Sequence, residues 1–375
     1  MRIAFVTETW LPSTDGVVTR IASTVRQLRA AGHEVLIVAP GPAESDFDGA
    51  VVRTVPAVGI RWVYGGKRWG LPMPRVGKRL REFRPDVVHV VNPVLLGIAA
   101  VVACRRAGFP MVASYHTNVA RYAAYYHLGW LAPVVWWLLR RLHGRAAVNL
   151  ATSSATCDEL RAQGIERVRL WPRGVDLDLF TPRPVTRAAP EPDRPPVALY
   201  VGRLAAEKGL DLLAPLAGPD RGVRLVLVGD GPARADLTDR FGVRTVTFTG
   251  LLHGPALADA YRSADVFVFP STTETLGLVM VEALASGLPV IAVDSPASRE
   301  ILGGCPAGRL FSADLADRLP DLVREVHEDN ATGYLSDMAR REAEKWGWPA
   351  ATESLVSCYR EVIAERPVTV DSAPE

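Results

Sequence analysis

The sequence predicts an α/β protein of two domains, each built on a doubly wound parallel sheet. Two series of short apolar runs alternate with amphipathic segments, and runs that are apolar on both faces are typical of strands covered by helices. A proline-rich stretch separates the two series. The chain has 375 residues, of which 48% are hydrophobic, and this is enough material for two cores.

The first series opens with a strand, a helix and a second strand. The strand covers residues 2–7, the helix runs from 15 to a glycine at 32, and the second strand covers 34–39. Together with the elements that follow, they define a first domain over residues 1–180. The later strands are predicted within 85–92, 109–117 and 145–154, and a helix is predicted over 155–163.

Residues 181–196 form the predicted linker, because a segment with six prolines cannot hold a helix or a central strand. The second series defines a domain over residues 197–347. An amphipathic helix within 348–366 and a flexible tail over 367–375 close the chain. The strands of the second domain are predicted within 197–202, 223–232, 245–250, 266–269 and 289–293.

Composition and motifs exclude several classes of protein. The four cysteines, Cys104, Cys157, Cys305 and Cys358, are far apart and lack the spacing of a metal or redox site, which fits a reducing cytoplasm. We expect no transmembrane segment, and the first apolar run is too short for a signal-peptide core. No Gly-x-Gly-x-x-Gly loop follows a predicted strand, so a nicotinamide or flavin cofactor is not indicated.

Charge is distributed unevenly along the chain. Residues 1–180 hold 23 Lys and Arg against 13 Asp and Glu, whereas the remainder holds 20 against 28. No acidic residue occurs from Val87 to Cys157. This asymmetry predicts an anionic partner for the first half, and it favours a membrane surface or a phosphorylated ligand over nucleic acid.

The stretch from Phe269 to Val290 holds two carboxylates and a glycine turn between apolar runs. A buried strand ends at Pro270, and a helix from Gly277 to Ala285 follows it, so Glu274 lies in the turn and Glu282 in the helix. In open α/β sheets ligands bind at such a strand end, and the amides of a helix start favour an anion. The sequence therefore predicts a ligand site here.

A second loop at a strand end carries two cations. Residues 202–209 place Arg203 and Lys208 five residues apart in a loop that enters a helix. An arginine fork and a lysine point charge together suit a diphosphate. A solvated basic loop is the alternative interpretation.

Glu274 and Glu282 allow two interpretations. A glycosidase would use one as the acid and the other as base or nucleophile, with carboxylates roughly 5 to 9.5 Å apart. Eight residues of helix rise ~12 Å, which is longer than that range. The spacing instead favours two contact points for a nucleotide sugar, since carboxylates accept hydrogen bonds from hydroxyls.

The first domain adds two candidates at its predicted strand and helix ends. Asp15 and Gly16 stand where the first helix begins, so the backbone there can approach a phosphate or sugar, or Asp15 is simply an N-cap followed by a turn glycine. His116 follows a strand at the functional edge of the sheet, and a structural role is the alternative to catalysis.

Three motifs resemble those of the retaining glycosyltransferases of family 4, and the resemblance spans nearly the whole chain. They are the Glu274-x7-Glu282 stretch, the Gly-Arg-Leu-x-x-Glu-Lys-Gly of residues 202–209, and Arg173-Gly-Val-Asp176. This resemblance implies the GT-B fold, in which two Rossmann-like domains face each other across a cleft. It also implies that the last helix crosses back to the first domain, and that no metal is needed.

The resemblance is strongest to the actinobacterial GDP-mannose-dependent α-mannosyltransferases and the sulfoquinovosyl-diacylglycerol synthases. The residues that carry this are Phe5-Val-Thr-Glu-Thr-Trp-Leu-Pro and Tyr115-His-Thr-Asn-Val. This sequence differs from the pattern of many relatives at two places. It has Asp15-Gly16 where many have Gly-Gly, and at residues 294–300 it lacks the Gly-Gly-Pro-Glu that many have. The resemblance therefore does not determine the donor sugar.

The resemblance also implies roles for individual residues. Arg203 and Lys208 would hold the donor diphosphate and stabilise it as it departs, and Glu282 would bind the ribose hydroxyls. Glu274 would meet hydroxyls of the transferred sugar. The further donor contacts implied are the amides of Leu276 and Gly277, the ring of His116 at the sugar's C6 hydroxyl, and Gly16.

The sequence thus predicts a cytoplasmic retaining glycosyltransferase that moves mannose from GDP-mannose to a lipid or a small polyol. Its expected partners include an anionic membrane surface at the inner face of the plasma membrane, met by the basic, Trp-containing residues 61–84 and 121–145. The alternative there places those aromatic side chains in the core. The alternative functions are a UDP-sugar transferase for a glycolipid or secondary metabolite, and an inactive nucleotide-sugar-binding or scaffold protein.

Overall fold

The computed structural model describes most of the chain and divides it into two compact units. One unit comprises Met1–Pro172 together with the C-terminal segment from Pro349, and the other comprises Arg173–Trp348. Most of the predicted linker and all of the predicted tail lie outside the described residues. Those described are 1–13, 15–59, 68–71, 73–116, 130, 132–183, 194–218, 221–242 and 246–365.

The first unit contains an eight-stranded sheet. Its strands are β1 (Arg2–Thr7), β2 (Glu34–Pro40), β3 (Asp46–Phe47), β4 (Ala50–Val55), β7 (Val87–Val91), β8 (Met111–Tyr115), β9 (Val148–Ala151) and β10 (Val168–Leu170). A separate antiparallel pair is formed by β5 (Ala57–Gly59) and β6 (Arg68–Gly70). The order in the large sheet is β10-β9-β8-β7-β1-β2-β4-β3, with β3 antiparallel to β4 and the other pairs parallel.

Helices cover both faces of this sheet. They are α1 (Gly16–Ala30), α2 (Arg75–Phe83), α3 (Leu95–Ala107), α4 (Ala132–His143), α5 (Ser154–Ala162) and the C-terminal helix (Trp348–Ala364). Because side chains alternate along a strand, Phe5 of β1 packs on one face in a core that includes Tyr359 of the C-terminal helix. Val6 packs on the other face with Leu96 of α3.

The second unit has a six-stranded sheet in which all pairs are parallel. Its strands are β11 (Val197–Val201), β12 (Arg224–Val228), β13 (Val246–Gly250), β14 (Val266–Phe269), β15 (Val290–Val293) and β16 (Gly308–Phe311). The order is β13-β12-β11-β14-β15-β16. The chain moves outward from β11 on one side and then restarts on the other side at β14. This topological switch point opens a crevice at the carboxyl ends of β11 and β14.

The helices of the second unit flank that sheet. They are α6 (Arg234–Phe241), α7 (Gly254–Ser263), α8 (Leu278–Ala285), α9 (Pro296–Leu302), α10 (Leu319–Asp329) and α11 (Tyr334–Ala343). The apolar strands pack against them in one continuous core. Two parallel-sheet units with helices between the strands confirm the predicted α/β class.

The loop after β11 differs from its prediction. Where a helix was expected after residues 202–209, the chain forms two 3₁₀ helices, Ala206–Lys208 and Leu210–Leu216. Gly209 separates them in the left-handed conformation, with φ of 64°, and Pro215 lies inside the second. Neither residue favours a continuous α-helix, which explains the tighter turns.

Candidate active site

The loops that follow β11 and β14 are interlocked at the switch point. Thr273 Oγ1 donates a hydrogen bond to the carbonyl oxygen of Glu207 at 2.8 Å. A Cβ added to Gly209 would lie 2.7 Å from the carbonyl oxygen of Pro270. The two backbones therefore approach so closely that only glycine fits at 209, and the side chains of both loops meet in one place.

Glu274 lies at the centre of this junction. Its Oε1 accepts hydrogen bonds from the backbone N–H groups of Thr275, Leu276 and Gly277 at 3.2, 3.1 and 3.1 Å. Its Oε2 accepts one from Lys208 Nζ at 3.0 Å. Burial alone would raise the pKa of Glu274, but Lys208 and the backbone amides outweigh it and lower the pKa to about 2. This carboxylate is therefore an anion throughout the physiological range.

Gly277 allows the turn that places these amides. It is the N-cap of α8 with φ of 67°, a left-handed conformation that side chains disfavour. A Cβ there would lie 2.5 Å from Ile301 Cδ1 and 2.7 Å from Met280 Cε. Glycine is thus required by both backbone conformation and space.

Arg203 occupies the start of the same junction. Its side chain is 28% exposed and lies 3.6 Å from the buried carboxylate of Glu207. Tyr200 Oη donates to the Arg203 carbonyl oxygen at 3.1 Å, which anchors the backbone. A Cβ on Gly229 would collide with the carbonyl oxygen of Gly202, so the loop after β12 presses directly on this segment. Arg203 is therefore an accessible cation on a tightly packed backbone.

Glu282 lies on α8 in a different environment from Glu274. Its Oε2 accepts a hydrogen bond from Tyr261 Oη at 2.9 Å. Burial raises its pKa to about 7, and the Tyr261 hydrogen bond opposes this only in part. α8 begins at Leu278, so the interval from Glu274 is not helical throughout, and the ~12 Å estimate for a continuous helix does not apply to it.

Arg173 and Tyr261 are two further residues of this region, and no sequence pattern indicates a role for either. Arg173 Nε donates to the Leu276 carbonyl oxygen at 2.5 Å, and its Nη1 lies 2.7 Å from Glu300 Oε1. The Arg173 side chain is only 4% exposed. Arg173 belongs to a sequence motif, but nothing in the sequence connects it to Leu276, since the contact joins residues more than a hundred positions apart.

Two predicted site residues, Gly16 and His116, belong to the first unit. Asp15 caps α1, and its Oδ1 accepts from the N–H groups of Val17 and Val18 at 3.0 Å each. The N-cap interpretation therefore describes Asp15. A Cβ on Gly16 would meet nothing within 4 Å, so the backbone there borders open space.

His116 is 4% exposed and follows β8. Its Nε2 lies 2.8 Å from Ser114 Oγ, and its ring packs edge-on against Trp171 at 5.6 Å. Burial, followed by the positive charge of Arg20 and the neighbouring His89, lowers the pKa of His116 well below its usual value. The imidazole is therefore neutral near pH 7, with one ring nitrogen as a hydrogen-bond donor and the other as an acceptor.

The opposed pKa values of Glu274 and Glu282 also occur in acid–base pairs of hydrolases. In this site, however, the Glu274 carboxylate already receives four hydrogen bonds, three of them from its own loop. Such a carboxylate is held in place, and it is a weak nucleophile because Lys208 and the backbone amides stabilise its negative charge and lower its pKa to about 2. Among the described residues, no group of His, Cys, Asp and Glu has the arrangement of a metal site.

Two Rossmann-like units, with an arginine, a lysine and a clamped carboxylate at a switch point, have the arrangement expected of a glycosyltransferase of the GT-B fold. The chain belongs to glycosyltransferase family 4. The family described as "Glycosyltransferase Family 4" matches residues 14–179, and the one described as "Glycosyl transferases group 1" matches residues 195–329.

Relatives of known name extend over the whole chain. A GDP-mannose-dependent alpha-mannosyltransferase of Mycobacterium tuberculosis is 40% identical, with 98% of each chain covered. The sulfoquinovosyl transferase SQD2 of Arabidopsis thaliana is 34% identical over 91% of this chain and 69% of its own. Both subgroups are those indicated by the sequence motifs.

Solved structures confirm the fold. The sucrose-phosphate synthase of Thermosynechococcus elongatus superimposes with a TM-score of 0.79 at 22% identity, covering 97% of this chain and 99% of its own. At this level of identity the likeness concerns architecture alone. Within the described residues, no helix has both the length and the apolar character needed to cross a membrane.

Proposed function

We propose that this glycosyltransferase moves mannose from GDP-mannose, with retention of configuration, to a lipid or a small polyol. The observation that carries the proposal is the Lys208–Glu274 ion pair, which joins a cation and a clamped carboxylate at the switch point. The choice of donor is supported by relatives at 34–40% identity that are named GDP-mannose-dependent alpha-mannosyltransferases.

The two cations would bind the diphosphate of the donor. Arg203 supplies a planar fork and Lys208 a point charge, and both side chains are partly exposed, at 28% and 18%. Because Lys208 is held by Glu274 before the donor arrives, little reorganisation is needed when negative charge develops on the leaving group. Electrostatic stabilisation of that charge is the main catalytic contribution in this proposal.

Glu274 would orient the transferred sugar. Its Oε1 accepts from three backbone amides, whereas its Oε2 accepts, among the described residues, from Lys208 alone and keeps a lone pair for a sugar hydroxyl. The N–H groups of Leu276 and Gly277 hold Glu274 Oε1 in place, so they would act on the sugar through the Glu274 carboxylate. Glu282 would accept the ribose hydroxyls, and from the first unit we assign His116 to the C6 hydroxyl and Gly16 to a donor contact.

Retention would follow from substitution on one face of the sugar. The acceptor hydroxyl attacks the anomeric carbon as the bond from that carbon to the diphosphate breaks. The departing phosphate oxygen, paired with Arg203 and Lys208, takes the proton of the acceptor hydroxyl. The products are the mannoside and the protonated nucleoside diphosphate, so atoms and charge balance without a covalent intermediate.

A panel of nucleotide sugars tests this assignment. The full chain is incubated with GDP-mannose, GDP-glucose, UDP-glucose and UDP-galactose, and release of GDP or UDP is measured with and without acceptors. Turnover that requires GDP-mannose supports the proposal, and turnover with a UDP-sugar alone supports the alternative donor. Binding without hydrolysis or transfer for every donor would support an inactive binding protein.

The acceptor side of the proposal rests on a surface of the first unit. Trp137 on α4 is 58% exposed and Trp130 is 74% exposed. Exposed arginines surround Trp137 and line a shallow cavity of about 290 Å³: Arg140, Arg141 and Arg145. Exposed tryptophan among cations suits an anionic lipid interface, and we propose that this surface brings the enzyme to the inner face of the plasma membrane. Parts of the predicted surface, residues 61–67, 72, 121–129 and 131, lie outside the described residues.

Trp136 provides a matched control for that surface. It is 8% exposed and stacks on Tyr115 with ring centroids 6.2 Å apart, so it belongs to the core. In a flotation assay with vesicles of phosphatidylglycerol and phosphatidylcholine, Trp137→Ala should lose binding and keep its melting temperature. Trp136→Ala should lose roughly 3 to 5 kcal/mol of stability. Failure of the unaltered protein to float with anionic vesicles would favour a soluble polyol acceptor.

A further inference from the structure

Tyr261 combines a buried ring with a hydroxyl directed at the proposed nucleotide site. Its ring lies between Phe180 and Phe267, with centroids at 5.5 and 5.8 Å, and the residue is fully buried. Its hydroxyl reaches Glu282 Oε2 at 2.9 Å. Phenylalanine would fill the same core without burying a polar atom, so the hydroxyl is the feature that needs an explanation.

The hydroxyl has one hydrogen and two acceptors within reach. Besides Glu282 Oε2, the carbonyl oxygen of Val279 lies 3.2 Å away. When Glu282 is ionised, the shorter and charge-assisted bond to the carboxylate takes the hydrogen. When Glu282 is protonated, its own O–H can donate to the phenol oxygen, and the phenol can donate to Val279. The pair therefore has two arrangements that differ by one proton.

The two arrangements offer different numbers of acceptors to a ligand. An ionised Glu282 that accepts from Tyr261 keeps lone pairs on both oxygens, enough for the two hydroxyls of a vicinal diol. A protonated Glu282 uses one oxygen as a donor and keeps fewer acceptors. In the part of the chain that the structure describes, the ionisable groups that act on the pair are each other and Tyr200 of β11. Among the described residues, no Lys, Arg or His nitrogen lies within 4.0 Å of the Glu282 carboxylate, so Tyr261 is its main support.

We propose that Tyr261 is a positioning residue: its hydroxyl orients the Glu282 carboxylate for the ribose diol of the donor and makes nucleotide binding depend on the proton shared by the pair. This rests on the proposed function, in which Glu282 meets the ribose. Tyr261 is fully buried and touches Glu282, so it would act on the donor through that carboxylate.

The direction of the pH effect follows from the local environment. Burial raises the pKa of Glu282 to about 7, and the hydrogen bond from Tyr261 opposes that rise. Removing the hydroxyl therefore raises the pKa of Glu282 further. Binding that requires the ionised carboxylate should strengthen as pH rises through about 7 in the unaltered protein, and at a higher pH in Tyr261→Phe.

The experiment compares two nucleotides that differ only in the diol. Binding of GDP and of 2′,3′-dideoxy-GDP to the full chain is measured by calorimetry between pH 5.5 and 8.5, or with the uridine pair if the donor panel selects uridine. Because both nucleotides carry the same phosphates, the ratio of their affinities isolates the diol from phosphate titration. We expect this ratio to grow with pH, and to be about tenfold smaller in Tyr261→Phe at pH 8.

Two controls separate positioning from stability. Tyr359→Phe removes another fully buried hydroxyl, which bonds His89 Nδ1 at 2.6 Å in the other unit, and should leave the ratio unchanged. Glu282→Gln cannot ionise, so its ratio should be small and independent of pH. If Tyr261→Phe does not fold, the Glu282→Gln variant still tests the proposal. An affinity ratio of GDP to dideoxy-GDP that still depends on pH in Glu282→Gln would overturn it.

The remaining outcomes are distinct. An equal loss of GDP and dideoxy-GDP affinity in Tyr261→Phe would show a purely structural role and overturn the inference. The inference is also overturned if the unaltered protein binds GDP and dideoxy-GDP equally well. Failure of the unaltered protein to bind GDP and UDP at every pH would overturn the proposed function together with this inference.

Discussion

Lys208 Nζ lies 3.0 Å from Glu274 Oε2 and joins the loops that follow β11 and β14. These two strands are paired in the sheet although more than sixty residues separate them along the chain. Both side chains are less than a fifth exposed, so the pair is shielded from solvent on most sides. In the proposed function, the pair would provide a cation for the donor and a fixed carboxylate for the sugar within one unit of structure.

Lys208→Ala should reduce transferase turnover by roughly 10² to 10³, because in the proposed mechanism it removes one of the two charges that would stabilise the departing diphosphate. Steady-state release of the nucleoside diphosphate measures this. Lys345→Ala is the matched control, since Lys345 forms a 2.7 Å pair with Glu342 in the same unit and is 64% exposed. Equal turnover of Lys208→Ala and the unaltered protein would contradict the proposed mechanism.

Glu274 and Glu282 should affect stability with opposite signs. The pKa of Glu274 falls from 4.5 to about 2 on folding, so its contribution is complete above pH 4.5 and is lost as pH falls toward 2. The pKa of Glu282 rises from 4.5 to about 7, so it costs nothing below pH 4.5 and its full cost is present above pH 7. Each shift corresponds to about 3 kcal/mol at most.

Melting curves of Glu274→Gln and Glu282→Gln between pH 4 and 8 test this. At pH 8 we expect Glu274→Gln to melt below the unaltered protein and Glu282→Gln to melt above it. The Glu282 difference should disappear as pH falls from 7 to 4.5, whereas the Glu274 difference should persist down to about pH 4.5 and begin to shrink only below it. Melting shifts of the same sign at pH 8 would show that the two carboxyls do not have the opposite environments described.

Gly277→Ala should destabilise the second unit and lower activity. The substitution combines a left-handed backbone with a Cβ that would lie 2.5 Å from Ile301 Cδ1. Gly333→Ala separates the two effects, because Gly333 has φ of 79° and a Cβ there would meet nothing within 4 Å. Strain at a left-handed residue alone costs about 1 to 3 kcal/mol. The loss in Gly277→Ala, measured by urea unfolding, should exceed the loss in Gly333→Ala.

His116 should remain neutral from pH 5.5 to 8. Burial, with Arg20 and His89 nearby, lowers its pKa well below the usual value, and burial and Arg20 also lower the pKa of His89 to about 3. The ring signals of both histidines in a two-dimensional NMR titration should not move across this range. A midpoint near pH 6.5 for His116 would mean that the imidazole is accessible to water and able to carry charge in the reaction.

Much of the fold was predictable because it depends on local patterns. Strands such as Val266–Phe269 are short apolar runs that end at proline or glycine, and helices such as α1 begin at a capping residue and end before glycine. The prediction of an α-helix after residues 202–209 is wrong, because Gly209 and Pro215 favour tighter 3₁₀ turns. Glu274 and Glu282 could likewise be identified as a motif from the sequence, since their spacing along the chain does not depend on the fold.

The sequence by itself determined the fold class, the family and the set of motif residues, because apolar periodicity and motif spacing act over a few consecutive positions. Only the tertiary structure decided which partner each charge has. Glu8 accepts from the N–H groups of Val94 and Gly97, and Glu282 pairs with Tyr261 and not with a cation. Such partners lie on elements that are distant in sequence and meet only through tertiary packing, and burial there sets the pKa values, so no local pattern specifies them.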